Sequence, residues 1–442
     1  MEKIAASLLA TAGIACAQTY NYDSSSETLV ITGKGNTVAD RITPEEPITP
    51  GSTVPGTSEI FGDTKEIILK DVWTSPDSIR IKYVEPTSEG NNTTLKLENS
   101  RLGASGDFDK GGTGLILILD SQSRLDLFGN RLTNTIRIEN QGHISCSNST
   151  VRENSYLWDN KTTTGSSGVL GGSGYYRFGN VSSIETDKDF GLIKTSGQIT
   201  DLEISGIYNV DGNSAKTIGD DAYIVGVNTS SSSDGQAMTI SGSLTIEAKQ
   251  GTGIGILANQ LGSDDVSLKN DYSGQIYVTA KDAFGVKVGK NAAKDPSAAG
   301  DIYSLSVGGL DINNTITSGS TQGEATGIYA KSVKRDLTAD AITVEGYTSA
   351  TGIHLTEGGR NLTISDMQVS ARNATATGII AARGIDTPVP TAGKLENIRI
   401  DNLEVSGGAD ATGIFANSIT KSGQSENIIG NITVSSENGL AT

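Results

Sequence analysis

Cysteine is nearly absent from this 442-residue chain, which holds only Cys16 and Cys146. Histidine is as scarce: His143 and His354 are the two. Isolated imidazoles cannot assemble a metal centre without partners. Aromatic residues make up 5% of the chain, which argues against a globular core built around large rings. Positive charge is outweighed, 34 Lys and Arg against 51 Asp and Glu, for a formal net charge of −17. So acidic a surface argues against nucleic acid and against an anionic membrane as partners, and suggests a neutral or basic one. No run beyond the first residues is apolar and long enough to span a bilayer as a helix.

What is present begins with an export signature. Lys3 and the α-amino group outweigh Glu2, residues 4–15 are apolar, and Ala15-Cys16-Ala17 offers a small-x-small cleavage site. Residues 1–17 therefore read as a signal peptide. The rival reading is a lipoprotein signal acylated at Cys16, for which Gly13-Ile14-Ala15 is a poor match. Cleavage after Ala17 leaves Cys146 alone, so the exported chain forms no internal disulfide.

The strongest pattern is a repeat. Ala-Thr-Gly-Ile occurs at Ala325, Ala350, Ala376 and Ala411, with relatives at Gly253-Ile254 and Gly285-Val286. A recurring unit of this length is the mark of a solenoid, each turn burying its apolar row against the next. Three pairs of alternating apolar residues recur per unit: Leu362/Ile364, Met367/Val369, Ile379/Ala381, then Ile398/Ile400, Leu403/Val405, Ile414/Ala416. Period-two alternation turns each pair to one side of its strand. The fold class expected is all-β, an elongated, right-handed, three-faced parallel β-helix. The repeated Gly should supply either a positive φ or room for close approach, and the Thr before it should stack on its counterpart in the next coil. Ile432 and Val434 open one more unit, whose Gly-Ile would fall at 443–444. The chain accordingly reads as the front part of a longer protein.

Four segments are expected: 1–17 as signal peptide, 18–64 as an N-terminal cap with a Pro-rich loop, 65–175 as irregular coils and 176–442 as repetitive coils. Residues 40–59 carry four of the nine prolines. In the irregular stretch Ile67/Leu69, Ile79/Ile81, Leu95/Leu97, Leu117/Leu119, Leu125/Leu127 and Ile136/Ile138 are strand pairs. Asn99 and Asn140 follow strands and can satisfy turn backbone. Residues 162–174 read as a surface loop or a boundary. Insertions at 230–234, 292–300, 387–394 and 420–425 should bulge from corners.

Taken together, the signal peptide, acidic β-coils, near-absence of cysteine and repeated Thr-Gly-Ile restart resemble the passenger region of Gram-negative autotransporters. The resemblance covers most of residues 18–442 and is one of pattern. It implies a surface adhesin that a C-terminal β-barrel, missing here, carries through the outer membrane. It further implies host or bacterial cell-surface molecules, protein or glycan, as partners. The Gly-Asp-Ser-Gly motif of the protease branch and the Asn-Pro-Asn-type motif of the two-partner haemagglutinin branch do not occur.

No residue earns a catalytic, cofactor-binding or metal-ligating role from sequence. His354 follows Ile353 and should face solvent. Gly165-Ser166-Ser167-Gly168 and Gly172-Ser173-Gly174 lack the strand-turn-helix setting of a nucleophile elbow and read as loop. Cys146 has no adjacent base and reads as structural. The acid pairs Asp187/Asp189, Asp220/Asp221 and Asp264/Asp265 resemble ordinary loop acids, without the spacing of calcium-loaded coils. They are nonetheless the residues a rival reading would use, that of a secreted carbohydrate-active lyase or hydrolase. The reading favoured is a non-catalytic exported adhesin or interaction scaffold without cofactor.

Overall fold

A computed structural model describes residues 19–23, 25–26, 28–32, 66–71, 93–105, 115–128, 132, 135–147, 150–151, 155–160, 166–171, 173, 175–179, 183–184, 189–195, 199–204, 207–211, 216–217, 223–230, 237–266, 268–289, 299–314, 323–383, 391–422 and 427–442. These residues are all-β, with no helix among them, and most of the pairing is parallel. The fold is a parallel β-solenoid. The signal segment, the Pro-rich stretch, Ile79/Ile81 and most of the four insertions lie outside the described residues.

The chain divides into two compact units. The first comprises residues 1–149, 157–161 and 168–179, the second 150–156, 162–167 and 180–442. In the first, an antiparallel hairpin of Thr19–Asp23 and Thr28–Thr32 opens the structure. Parallel pairing then runs from Thr28–Thr32 through Glu66–Lys70, Thr93–Glu98 and Leu115–Leu119 to Thr135–Asn140. A second column joins Arg101–Ser105, Arg124–Phe128, His143–Ser147 and Tyr175–Gly179. Leu69, Leu95, Leu97, Leu117, Leu119, Leu125, Leu127 and Ile138 are buried, as alternation predicts.

Polar side chains stitch the turns of this unit. Asn99 adopts a positive φ of 46°, and its Nδ2 donates to Asp71 Oδ1 at 2.6 Å. The Asn99 backbone N–H donates to Asp120 Oδ2 at 2.8 Å. Asn140, fully buried, donates from Nδ2 to the Tyr175 carbonyl and accepts from the Gly142 N–H. Asparagine tolerates the left-handed conformation and supplies both hydrogen-bonding senses, which is why it sits just past strands here.

In the second unit the repeat is a register. Ala325, Ala350, Ala376 and Ala411 are successive Cα partners, as are Thr326, Thr351, Thr377 and Thr412. Ile328, Ile353, Ile379 and Ile414 form the next column, the first three of them wholly buried. The threonines stack as expected, and Thr412 Oγ1 lies 3.2 Å from Thr442 Oγ1. Between the Thr and Ile columns runs the glycine column, and its reason is close approach. None of Gly327, Gly352 and Gly378 has a positive φ, but a Cβ at Gly327 would lie 2.5 Å from the Gly352 carbonyl oxygen. One at Gly352 would lie 2.6 Å from that of Gly378. Only a residue without a side chain lets the coils stack there.

Candidate functional site

The residues singled out in the sequence do not converge. His143 and His354 lie in different units. His143 is half-buried with its ring edge-on to Tyr175 at 4.9 Å, and burial, followed by the charge of Arg124, lowers its pKa. His354 corrects the expectation of a solvent-facing side chain. It does point away from Ile353, but it is half-buried and packed edge-on against Tyr329 at 4.9 Å. Burial lowers its pKa as well, so it is neutral at pH 7. The reason is that its outward column (Asn228, Leu257, Lys287, Tyr329, His354) is covered rather than open.

Cys146 is a buried thiol outside any disulfide, between Leu127 and Phe178 in register, and burial raises its pKa. It is packed as a small hydrophobe. Ser166, Ser167 and Gly168 lie in the strand Ser166–Gly171, not in a loop. Ser173 donates to Gln141 Oε1 at 2.6 Å. Asp264 and Asp265 are exposed, as loop acids are, and the Asp265 carbonyl accepts from Arg335 Nη2. Asp189 departs from the loop-acid reading, since it is fully buried immediately before the strand Phe190–Thr195. Asp187, Asp220 and Asp221 lie outside the described residues. Among the described residues no three His, Cys, Asp or Glu side chains are grouped to hold a metal ion.

The structure instead gathers five charged side chains that sequence reasoning passed over. Ser332, Gly358 and Lys394 are register partners on three successive strands, Glu324–Gly346, Ser349–Ala371 and Lys394–Gly407. Gly358 has φ +122°, and a Cβ on it would meet the Lys394 carbonyl oxygen at 2.3 Å. With Gly359 beside it, the backbone forms a bare floor. Lys334, Arg360, Lys394, Glu357 and Glu396 stand around this floor and line a groove of about 270 Å³.

Among the described residues that line the groove, three cations against two carboxylates sum to +1, in a chain of −17. The ion pairs within and around it are long: Lys394 Nζ to Glu396 Oε2 and Lys334 Nζ to Asp301 Oδ1 at 3.5 Å, Lys331 Nζ to Glu357 Oε1 at 3.6 Å. Exposed pairs of this geometry are weak, so a ligand can displace them cheaply. Arg360 is anchored by its Nε, which donates to the Lys334 carbonyl. A hydrogen bond with Ser422 holds the Glu396 carboxyl below its ordinary range, and the charges of Lys394 and Arg360 add to this. It is therefore an acceptor at neutral pH. The one signal for this site in the sequence was Gly358-Gly359 inside a strand, which marks close backbone approach.

A second concentration of charge is structural. Lys287 is fully buried, with Nζ 4.5 Å from the Phe284 ring centre and 5.1 Å from that of Tyr223. Its ammonium makes no hydrogen bond among the described residues. Burial lowers its pKa to about 8, against the opposing pull of Glu324 and Asp282. The aromatic cage is filled by the chain's own cation, so it has no room for another. Compared with known protein families, with curated proteins and with solved structures, the chain matches none.

Proposed function

We propose that this chain is an exported interaction scaffold of adhesin type, whose coils present binding surface to other cells. The observation that supports it best is the groove at Gly358, where three successive coils place displaceable charges around a bare backbone floor. A solenoid suits the task, because side chains brought together by register on neighbouring coils are held by the whole ladder. Export follows the signal-like residues 1–17, and the passenger of an autotransporter, delivered to the bacterial surface, is the setting in which this reading is cast. The partners proposed are host or bacterial cell-surface molecules.

A carbohydrate-active enzyme is the second reading, and the same groove favours it, since carboxylates beside Arg and Lys on an open surface are what such an enzyme uses. One experiment separates the two. The purified chain is incubated with epithelial and bacterial cells and, in parallel, with acidic and neutral polysaccharides. Saturable binding to cells with no new reducing ends or unsaturated products is expected. Release of cleavage products would replace the scaffold by the enzyme, and absence of cell binding would remove the adhesin role.

A further inference from the structure

The groove's chemistry narrows what it takes, on the footing that it binds rather than cleaves. The described residues that line it include no aromatic ring, so a neutral sugar would find no stacking platform among them. Its two carboxylates would repel a doubly charged phosphate held between them. A single carboxylate accompanied by hydroxyls carries half that charge, and the cations can hold it without a stacking platform. The guanidinium of Arg360 and the ammonium of Lys394 can donate to the negative group. Glu357 and Glu396 can accept hydrogen bonds from ligand hydroxyls, and the backbone of Gly358 and Gly359 lines the groove where the sugar ring would lie. The volume is at or below the lower end for small-molecule sites, roughly 300 Å³, which suits one sugar residue rather than a chain.

We propose that the groove formed by Lys334, Glu357, Gly358, Arg360, Lys394 and Glu396 is a subsite for a single carboxylated sugar, of the uronic acid class. Among the described residues nothing encloses the ligand, so affinity for the isolated sugar should be weak, on the order of 1 mM. Useful adhesion would then come from many copies meeting a polymer.

The test is ligand-observed saturation-transfer NMR on the full chain, with methyl glucuronide, methyl glucoside and acetate as probes. The glucuronide differs from the glucoside only in its carboxylate, and acetate supplies the carboxylate without the ring. Transfer to the glucuronide alone is expected, with Arg360→Ala weakening it about tenfold, the scale of one lost charge-assisted hydrogen bond. Glu357→Gln should weaken it less, and Lys421→Ala, an exposed cation outside the groove lining, should leave it unchanged. Equal transfer to the glucoside, competition by acetate at equal concentration, or an unchanged Arg360→Ala would each overturn the assignment. Arg360 is exposed, so loss of the fold is not an expected confounder; circular dichroism of the variant checks this. A chain that ignores the glucuronide yet still binds cells would sink the ligand class and spare the scaffold. One that binds the glucuronide but no cells would do the reverse.

Discussion

Replacing Lys287 by methionine should make this protein more stable at neutral pH. The ammonium is fully buried, and its pKa falls from 10.5 to about 8. Each pKa unit is about 1.4 kcal/mol, so carrying the charge inside costs the folded state about 3 kcal/mol at pH 7. The two rings beside it return about 1 to 2 kcal/mol through cation–π attraction, which methionine forfeits while keeping an unbranched apolar stem and contact with the rings. The net expected gain is about 1 to 2 kcal/mol. The sign with pH follows from proton binding. Below pH 8 both folded and unfolded chains hold the proton and the penalty is complete. Between about 8 and 10.5 the unfolded chain holds it and the folded chain releases it, so wild-type stability rises relative to the variant. Urea unfolding of both proteins, followed by circular dichroism at pH 7 and pH 10, reads the difference. Equal midpoints at pH 7, or a difference that does not shrink at pH 10, would refute the reasoning.

The glycine and asparagine columns make separate predictions. Gly352→Ala sets a Cβ 2.6 Å from the Gly378 carbonyl oxygen and 2.5 Å from Met367 Sδ. The thioether can swing away and the backbone cannot, so a loss of about 1 to 3 kcal/mol is expected in the same urea assay, and an unchanged midpoint would contradict the close-approach account. Asn361 has φ 51°, donates to Asp336 Oδ1 at 3.0 Å and accepts from Asn397 Nδ2 at 2.9 Å. Asn361→Ala should therefore cost about 1 to 2 kcal/mol more than Asn361→Gly, because alanine adds left-handed strain to the same lost hydrogen bonds; equal losses would place the whole effect in the ladder.

Much of the fold was legible because a solenoid writes its register into the sequence. Thr326, Thr351 and Thr377 fall 25 and 26 positions apart and Thr412 follows 35 later with the same Ala-Thr-Gly-Ile around it, and the structure stacks all four as partners. The inward pairs Leu362/Ile364 and Met367/Val369 are buried as alternation requires. Two things stayed hidden. Alternation tells inside from outside of a coil but not whether the outside is covered, which is why His354 reads as solvent-facing in the sequence and Lys287 carries no signal there. The groove was hidden by unequal spacing. Ser332 to Gly358 is 26 positions and Gly358 to Lys394 is 36, although all three are adjacent in register. The inserted residues before Lys394 conceal an alignment that equal repeats would have displayed.

The overall acidity and the cationic groove make opposite demands on an anionic ligand, and ionic strength sets them against each other. Counted as a whole, the −17 surface repels a carboxylated sugar and should favour neutral or basic partners. That repulsion acts over long distances and matters at low salt, where the Debye length is about 30 Å at 0.01 M. At about 0.15 M it falls to about 8 Å, and an approaching sugar then feels chiefly the side chains around Gly358, whose sum is +1. Near 1 M, with screening down to about 3 Å, contacts with Arg360 and Lys394 weaken in turn. Glucuronide binding should therefore pass through a maximum between these limits. A steady fall from the lowest salt upward would mean that the distant carboxylates are not felt at the groove. A steady rise would mean that the cations around Gly358 are not what holds the ligand.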